Sequence, residues 1–369
     1  MKVKGAVLRE PNKPMEIEEL NLDPPKENEI LVKVAYTGFC HSDLHLMLGE
    51  IPIEMPFVIG HEASGVVEEV GPGVTSLKKG DHVVSTWMVP CGICPNCRRG
   101  KGYICTGSFE HFLAGKLLDG TSRLTDMDGN EVLHGNFVSG FSDYTVVPET
   151  AALKVREDMP LDQACFMGCC VPTGWGSVTN VADVQPGQSV AIWGLGGVGL
   201  NVLRAAALRH ANPIIAVDME ADKEELAMEF GATHFICNKD EDPVPIIQEL
   251  TGGGAEVVFE AIGDPGAIVQ AYWSTGIGAK MVIPGITPHD QTTDLPLMLL
   301  PLHEKQILGT LYGNISTHVD IPRLVDMAMN HDLKLDKLIS NYFTVDEINE
   351  VGQAMVDRKI KGRWVCKWD

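Results

Sequence analysis

No apolar run in the sequence is long enough to span a bilayer, and the start, Met1 to Leu8, has a basic residue or two but no apolar h-region and no cleavage site. A cytoplasmic protein is expected on that basis. Positive charge is scarce: 29 Lys and Arg stand against 50 Asp and Glu, a formal net charge of −21. Such a surface repels phosphate backbones and anionic lipid, which argues against nucleic acid and membrane as partners. Internal repeats and low-complexity segments are missing too, so neither a solenoid nor a long linker is expected.

What is present fits a soluble globular protein of ordinary composition. At 369 residues, 44% apolar and 21% charged, the chain is long for one core and comfortable for two. Ten cysteines without a secretion signal point to metal binding rather than disulfides. Short Val/Ile runs such as Ile30 to Val34 and Ser64 to Val67, separated by Gly and Pro, make the first part β-rich. Near Val171 the texture changes. Val190 to Trp193, Ile214 to Val217, His234 to Ile236, Val257 to Phe259 and Met281 to Ile283 read as strands. Helical patterns at 198–209, 224–230 and 244–250 lie between the earlier ones. Alternation of that kind predicts an α/β region with a doubly wound parallel sheet. After about Leu311 the chain returns to mixed structure, ending in Arg363 to Cys366.

Gly194-Leu195-Gly196-Gly197-Val198-Gly199 is a G-x-G-x-x-G run that follows an apolar strand and opens a helix. Glycines at those places permit a tight turn, close approach of backbone to pyrophosphate, and tight helix–strand packing. Asp218 ends the next strand, where an acidic residue can bind the ribose 2′-hydroxyl of NAD and repel the 2′-phosphate of NADP. No Arg follows it directly, so NAD is the expected cofactor.

Cys91, Cys94, Cys97 and Cys105 form a C-x2-C-x2-C-x7-C cluster. Four thiolates on one loop can close a tetrahedron around Zn2+ and leave no open position, which defines a structural site. An iron–sulfur cluster is chemically compatible with the same ligands. Cys40, His61 and Cys169 are dispersed, and spacing alone does not show that they meet. If they do, two thiolates and one imidazole leave a fourth position open, as in a catalytic zinc site.

Together, Gly60-His61-Glu62 with Gly65, Gly71 and Val74, the run Gly80-Asp81-His82-Val83, the four-cysteine loop, the glycine-rich turn and the Arg363 segment resemble a zinc-dependent alcohol dehydrogenase of the medium-chain dehydrogenase/reductase superfamily. The likeness covers essentially the whole chain. It implies a GroES-like, β-rich, zinc-binding catalytic domain made of residues 1–170 and 312–369, and a Rossmann NAD-binding domain of residues 171–311. It implies a catalytic zinc held by Cys40, His61 and Cys169, with Cys169 chosen over Cys170 by its distance from Thr173-Gly174, and with Glu62 as an alternate ligand. Asp43 would orient the ligand histidine, and Cys91, Cys94, Cys97 and Cys105 would hold a structural zinc. Ser42 and His45 would relay the substrate proton. The cofactor contacts would be His41, Gly194, Gly196, Gly197, Val198, Gly199, Asp218, Lys223 and Arg363, although Arg363 also reads as a solvated terminal charge.

The resemblance further implies hydride transfer between a small alcohol, or its aldehyde or ketone, and NAD, with two zinc ions per subunit in a homo-oligomer, dimer or tetramer. Trp87, Ile51 and Ile286 fall where the family lines its substrate channel. Thr106 to Gly140 is longer than in many compact relatives and would form part of the pocket rim, or else a surface loop. That length also resembles dimeric animal-type alcohol dehydrogenases and thiol-adduct formaldehyde dehydrogenases; an enzyme for a CoA-linked or other anionic cyclic secondary alcohol is a further alternative. Arg98, Arg99, Lys101, Lys116 and Arg123 are the candidate contacts for such anionic substrates, although they read first as solvated charge. A zinc-free quinone or enoyl reductase, and a non-enzymatic NADH-binding scaffold, are the remaining alternatives.

Overall fold

A computed structural model describes residues 1–368. The chain divides into two compact units, Met1–Cys169 with Ser316–Asp369, and Cys170–Ile315. In the first unit the strands run β1 (Lys2–Leu8), β2 (Glu16–Leu22), β3 (Glu29–Gly38), β4 (Phe57–Val58) and β5 (Glu62–Val70). They continue with β6 (His82–Ser85), β7 (Leu124–Thr125), β8 (Glu131–His134), β9 (Tyr144–Pro148) and β10 (Ala152–Lys154). The second unit holds β11 (Val190–Trp193), β12 (Ile214–Asp218), β13 (His234–Cys237), β14 (Ala255–Glu260), β15 (Thr275–Ile283) and β16 (Gln306–Gly309). The chain then returns to the first unit for β17 (Ile339–Phe343) and β18 (Arg363–Lys367).

Strands β1, β2, β7, β8 and β4 close into a small barrel. Beside it, in the same unit, lies a sheet ordered β10-β6-β5-β3-β18-β17, with β9 also paired to β3. The segment between Cys105 and Phe141 is therefore not a bare loop. It carries the helix Thr106–Leu113 and supplies β7 and β8 to the barrel. A buried ion pair pins it: Arg123 donates from Nε to Glu29 at 2.9 Å and from Nη2 to Asp119 at 2.8 Å. Arg123 is thus spent inside the fold and is not a contact for an anionic substrate. Lys116 is likewise paired, with Glu131 at 2.6 Å.

The second unit is a six-stranded, all-parallel sheet in the order β13-β12-β11-β14-β15-β16. Val190 to Trp193 are all buried, as a parallel strand covered on both faces requires. The helix Pro243–Thr251 shows how local signals set the ends: the Asp242 side chain accepts from the Val244 N–H, Pro243 occupies the first turn, and Gly252 ends the helix at φ +71°. The helix Pro265–Ser274 and the first half of β15 carry too many small and polar residues to show a clear period in sequence. The strand order, counted along the chain, is 3-2-1-4-5-6, that of a dinucleotide-binding sheet, and the order reverses between β11 and β14.

Candidate active site

The two clusters of possible metal ligands are assembled by the first unit. Cys40 ends the turn after β3 and precedes the short helix His41–Met47; His61 and Glu62 stand at the start of β5; Cys169 follows the turn Cys165–Gly168. One ligand atom from each of Cys40, His61, Glu62 and Cys169 lies within 4.8 Å of the others, and all four residues are buried. Two glycines make the approach feasible. A Cβ on Gly38 would sit 2.5 Å from the Glu62 carboxylate, and one on Gly168 would lie 2.7 Å from the Ser85 carbonyl and 3.0 Å from that of His61. Neither role is legible in the sequence, because the spacing of glycines says nothing about which chain they let pass.

One carboxylate braces two of the candidate ligands. Asp43, fully buried, takes the His61 Nδ1 at 3.0 Å on one oxygen and the Cys40 N–H at 2.9 Å on the other. With Nδ1 committed to Asp43, Nε2 is the nitrogen left to face a metal. Arg363 is buried rather than solvated. Its guanidinium meets Glu62 at 3.3 and 3.4 Å and Cys40 Sγ at 3.6 Å, so the arginine at the start of β18 belongs to this cluster.

Electrostatics fit a cation. A hydrogen bond from Cys169 and the charges of Arg363 and His61 hold the Cys40 thiol well below its ordinary value, against the effect of burial. Burial alone would lower the proton affinity of His61, but Asp43 outweighs it and raises it well above the usual range. Burial raises Glu62, with Arg363 opposing. Two thiols and an imidazole packed dry around one point suit a metal cation, which would displace their protons on binding.

The four-cysteine loop gives the second cluster. Its sulfurs also lie within 4.8 Å of one another, with Cys94 and Cys105 Sγ 3.9 Å apart, against about 3.8 Å for the edge of a tetrahedron with Zn–S bonds near 2.3 Å. Backbone N–H groups of Cys91, Cys94 and Cys97 point at Cys105, Cys91 and Cys94 sulfurs at 3.2, 3.3 and 3.4 Å. The N–H of Cys97 pushes Cys94 down to about 5, whereas burial and the neighbouring thiols push Cys97 up to about 12. Like charges so close ionise together only around a cation. Gly107 completes the lobe: a Cβ there would lie 2.6 Å from Cys91 Sγ.

The other candidate residues are placed as follows. Ser42 Oγ lies 3.8 Å from Cys40 Sγ. His45 is not a surface histidine; it is buried, its Nδ1 is tightly paired with Glu50, and its ring meets that of His41 edge-on at 4.8 Å. Glu50 was not singled out by the sequence, which shows no signal for it. Trp87 packs its ring 5.8 Å from Phe112, on the helix of the long segment, and Phe112 lies 6.2 Å from Phe137. Ile51 is half-buried against an apolar cluster, and Ile286 is exposed.

In the second unit the glycine-rich turn has the shape that a pyrophosphate needs. Gly194 has φ +88°, a Cβ on Gly199 would fall 1.8 Å from the Gly194 carbonyl oxygen, and a Cβ on Gly196 would meet nothing within 4 Å. The last is the open approach a phosphate requires, at the start of the twelve-residue helix Gly197–Leu208, which also takes in Val198. Asp218 accepts the Leu195 N–H at 2.7 Å and Lys223 Nζ at 3.0 Å on Oδ2, so the acidic residue and Lys223 are both fixed beside that turn.

A Rossmann sheet joined to a β-rich unit with one closed and one open cysteine-based cluster defines a zinc-binding dehydrogenase. Residues 26–157 match the alcohol dehydrogenase GroES-like domain, and residues 197–330 match the zinc-binding dehydrogenase domain. The chain is 39% identical to an S-(hydroxymethyl)glutathione dehydrogenase of Paracoccus denitrificans, covering 95% of this chain and 96% of that one. It is 38% identical to an NDMA-dependent alcohol dehydrogenase of Amycolatopsis methanolica, covering 97% of each. The crystal structure of benzyl alcohol dehydrogenase from Acinetobacter calcoaceticus superposes with a TM-score of 0.93 at 33% identity, covering 100% of both chains. The chain belongs to the zinc-dependent alcohol dehydrogenase family of medium-chain dehydrogenases, and is an alcohol oxidoreductase.

The bracing role of Asp43 carries a prediction. Asp43→Asn keeps the shape but can present an N–H to one of two donors, so His61 or the Cys40 backbone loses its acceptor. We expect zinc affinity at this site and turnover to fall about 10- to 100-fold, the usual cost of losing a partner behind a ligand histidine. Competition with a zinc chelator, followed by kinetics, measures it; unchanged affinity would remove Asp43 from the site.

Proposed function

We propose that the chain oxidises a small alcohol with an apolar body, or reduces the matching carbonyl, using NAD and two zinc ions per subunit. The observation that carries the proposal is the convergence of Cys40, His61 and Cys169 on one buried point. In this reading Cys40, His61 and Cys169 hold the catalytic zinc, Glu62 is an alternate ligand, and Cys91, Cys94, Cys97 and Cys105 hold the structural one. The first unit is the catalytic domain and the second binds NAD.

Bound zinc supplies a Lewis acid that makes the proton of an alcohol easier to lose. The chain's own groups do the rest. Asp43 fixes the His61 ring and the Cys40 backbone, so the ligands are set before substrate arrives. Ser42, beside Cys40, offers the hydroxyl that takes the substrate proton, and His45 with Glu50 carries it onward. Asp218 at the end of β12, buried and held beside the phosphate turn, favours a ribose hydroxyl over a 2′-phosphate, which supports NAD over NADP. His41 and Arg363 are assigned to the pyrophosphate side of the cofactor, with Arg363 also holding Glu62.

Two of the five basic candidates, Arg123 and Lys116, are already paired, which favours an apolar substrate over an anionic one. A thiol-adduct formaldehyde substrate is the second reading, favoured by the name of the Paracoccus relative; Arg98, Arg99 and Lys101 remain for it on the cysteine lobe. A homo-oligomer is supported by the free edge of β16 and by Ile277, Leu297, Met298 and Leu302 exposed on the second unit. Ten cysteines with no disulfide among them suit the reducing cytoplasm, and no helix among the described residues is long and apolar enough to cross a membrane.

The test is a panel of aliphatic and aromatic alcohols and their aldehydes with NAD or NADP, run with metal analysis and with a formaldehyde–glutathione arm. We expect zinc near two per chain and NAD-linked turnover of simple alcohols. Activity only in the thiol arm would select the second reading, and no turnover with any substrate in zinc-loaded protein would defeat both.

A further inference from the structure

Glu260 ends β14, fully buried, at the place where the strand order of the second unit reverses. Its register partner on β11 is Trp193, the residue before the glycine-rich turn. One carboxylate oxygen, Oε1, accepts the N–H groups of Ile262 at 3.0 Å and Gly263 at 2.8 Å. The other, Oε2, is buried without a partner. Space for it is left by Gly285, whose Cβ would lie 2.7 Å from Oε2, and the Gly285 N–H donates to the Glu260 main-chain oxygen at 3.1 Å. Through Oε1 the side chain fixes the turn that follows β14. Ile262 lies against Gly194, the first glycine of the phosphate turn, and Gly263 is pressed on the Ile286 backbone.

Position and chemistry together say what such a group can do. In an open α/β sheet the ligand lies outside the carboxyl ends of the strands at the reversal. The half containing Asp218 takes the adenosine end, so the half that begins with β14 takes the nicotinamide end. The oxidised nicotinamide ring is a cation and the reduced ring is neutral. A buried carboxyl with one oxygen unpartnered is balanced between forms: ionised, it leaves an uncompensated charge; protonated, it has a spare O–H. Burial pushes its pKa up to about 7, with the N–H groups of Gly263, Ile262 and Asp264 opposing and the charge of the Asp264 carboxylate adding a smaller push upward. Of the elements packed on β14, β11 and the helix 265–274 carry no group charged at neutral pH. Lys280 on β15 gives its ammonium to the Ala182 carbonyl, and the helices 197–208 and 243–251 carry Arg204 and Glu249. Asp264 is the charged neighbour with the largest influence.

We propose that Glu260 is a positioning residue whose proton is linked to the oxidation state of the bound dinucleotide, ionised with the oxidised cofactor and protonated with the reduced one. The proposal rests on the NAD reading above. Its consequence is that the protein binds NAD+ relatively better as pH rises and NADH relatively better as pH falls. The charge at Glu260 thus shifts the relative affinity for the two forms.

The test is the dissociation constants of NAD+, NADH and ADP-ribose on zinc-loaded protein from pH 5.5 to 8.5, for the wild type and Glu260→Gln. Gln keeps the shape and removes the titration, while the metal-site groups titrate in both proteins and cancel in the comparison. If the oxidised ring lowers the proton affinity of Glu260 by about one unit relative to the reduced ring, the NADH-to-NAD+ ratio of dissociation constants rises about tenfold more across this range in the wild type than in Glu260→Gln. ADP-ribose, which lacks the ring, shows no such difference. Equal pH profiles for the two proteins would overturn the proposal while leaving NAD binding intact. Failure of the wild type to bind either dinucleotide would instead overturn the cofactor reading. Should the variant not fold, infrared difference spectra of the wild type, NADH complex minus NAD+ complex near pH 7, must show the stretch of a protonated carboxyl; its absence decides against the proposal.

Discussion

Replacing Cys40 by serine is expected to lower turnover by about a thousandfold or more, with NADH binding largely kept. The argument starts from the donor set. Serine is a poor partner for zinc because its hydroxyl holds its proton far more tightly than a thiol does, and zinc favours sulfur at this position. Cys40 is also where the fold concentrates support: the sulfur meets the Arg363 guanidinium at 3.6 Å, and the backbone N–H is fixed by Asp43. Removal leaves Arg363 and Glu62 facing a weaker ligand in a dry pocket. Loss of Lewis-acid help worth several kcal/mol corresponds to three or more powers of ten in rate. The glycine-rich turn and Asp218 lie in the other unit and are untouched, so NADH fluorescence titration should give nearly the wild-type affinity. Metal analysis should find one zinc lost. Wild-type turnover in the variant with its zinc count reduced would show that the cluster around Cys40 is not where the chemistry occurs.

Replacing Cys105 by serine is the second large effect, and it acts on stability. Among residues 91–105, Cys105 alone is buried, and Ile93 and Ile104 are exposed. This lobe therefore has almost no apolar core, and its order depends on the four sulfurs closing on an ion. Structural zinc binding contributes roughly 10–16 kcal/mol in small zinc-finger peptides, which have the same lack of a core. We expect the variant to lose its structural zinc, to lower the thermal midpoint by on the order of 10 °C, and to become sensitive to protease within 91–113. Zinc content, a melting curve and limited proteolysis read all three. A variant that kept two zinc ions and its melting point would show that three cysteines suffice and that the fourth is incidental.

The dinucleotide half was the most legible part of the sequence, because each of its signals is local. The strand before Gly194, the glycine turn, the helix and Asp218 occupy one continuous stretch, and the structure sets them as a Rossmann sheet. The cysteine lobe was legible for the same reason. The open cluster is different. Cys40, His61 and Cys169 are far apart along the chain, so only the resemblance brought them together before the structure placed their ligand atoms. Glu50, and the pairing of Arg363 with Glu62 and Cys40, are not legible for a further reason: a charged residue buried by its partner looks, in sequence, like one that is solvated. The segment 106–140 shows no strand pattern in sequence because β7 and β8 are too short to show alternation. Glu260 gives no signal in sequence at all, since nothing in Phe259-Glu260-Ala261 says that one oxygen will be left alone.

The return of the chain to its first unit has a consequence for biosynthesis. Strand β18 pairs antiparallel with the end of β3, Val365 opposite Gly38, and β17 can join only on the far side of β18. Until residues 363–367 leave the ribosome, the end of β3 beside Cys40 has no β18, and Glu62 has no Arg363. Translation of residues 170–315 alone takes roughly seven to thirty seconds at ordinary speeds, during which the nascent sheet must wait, incomplete, for β18.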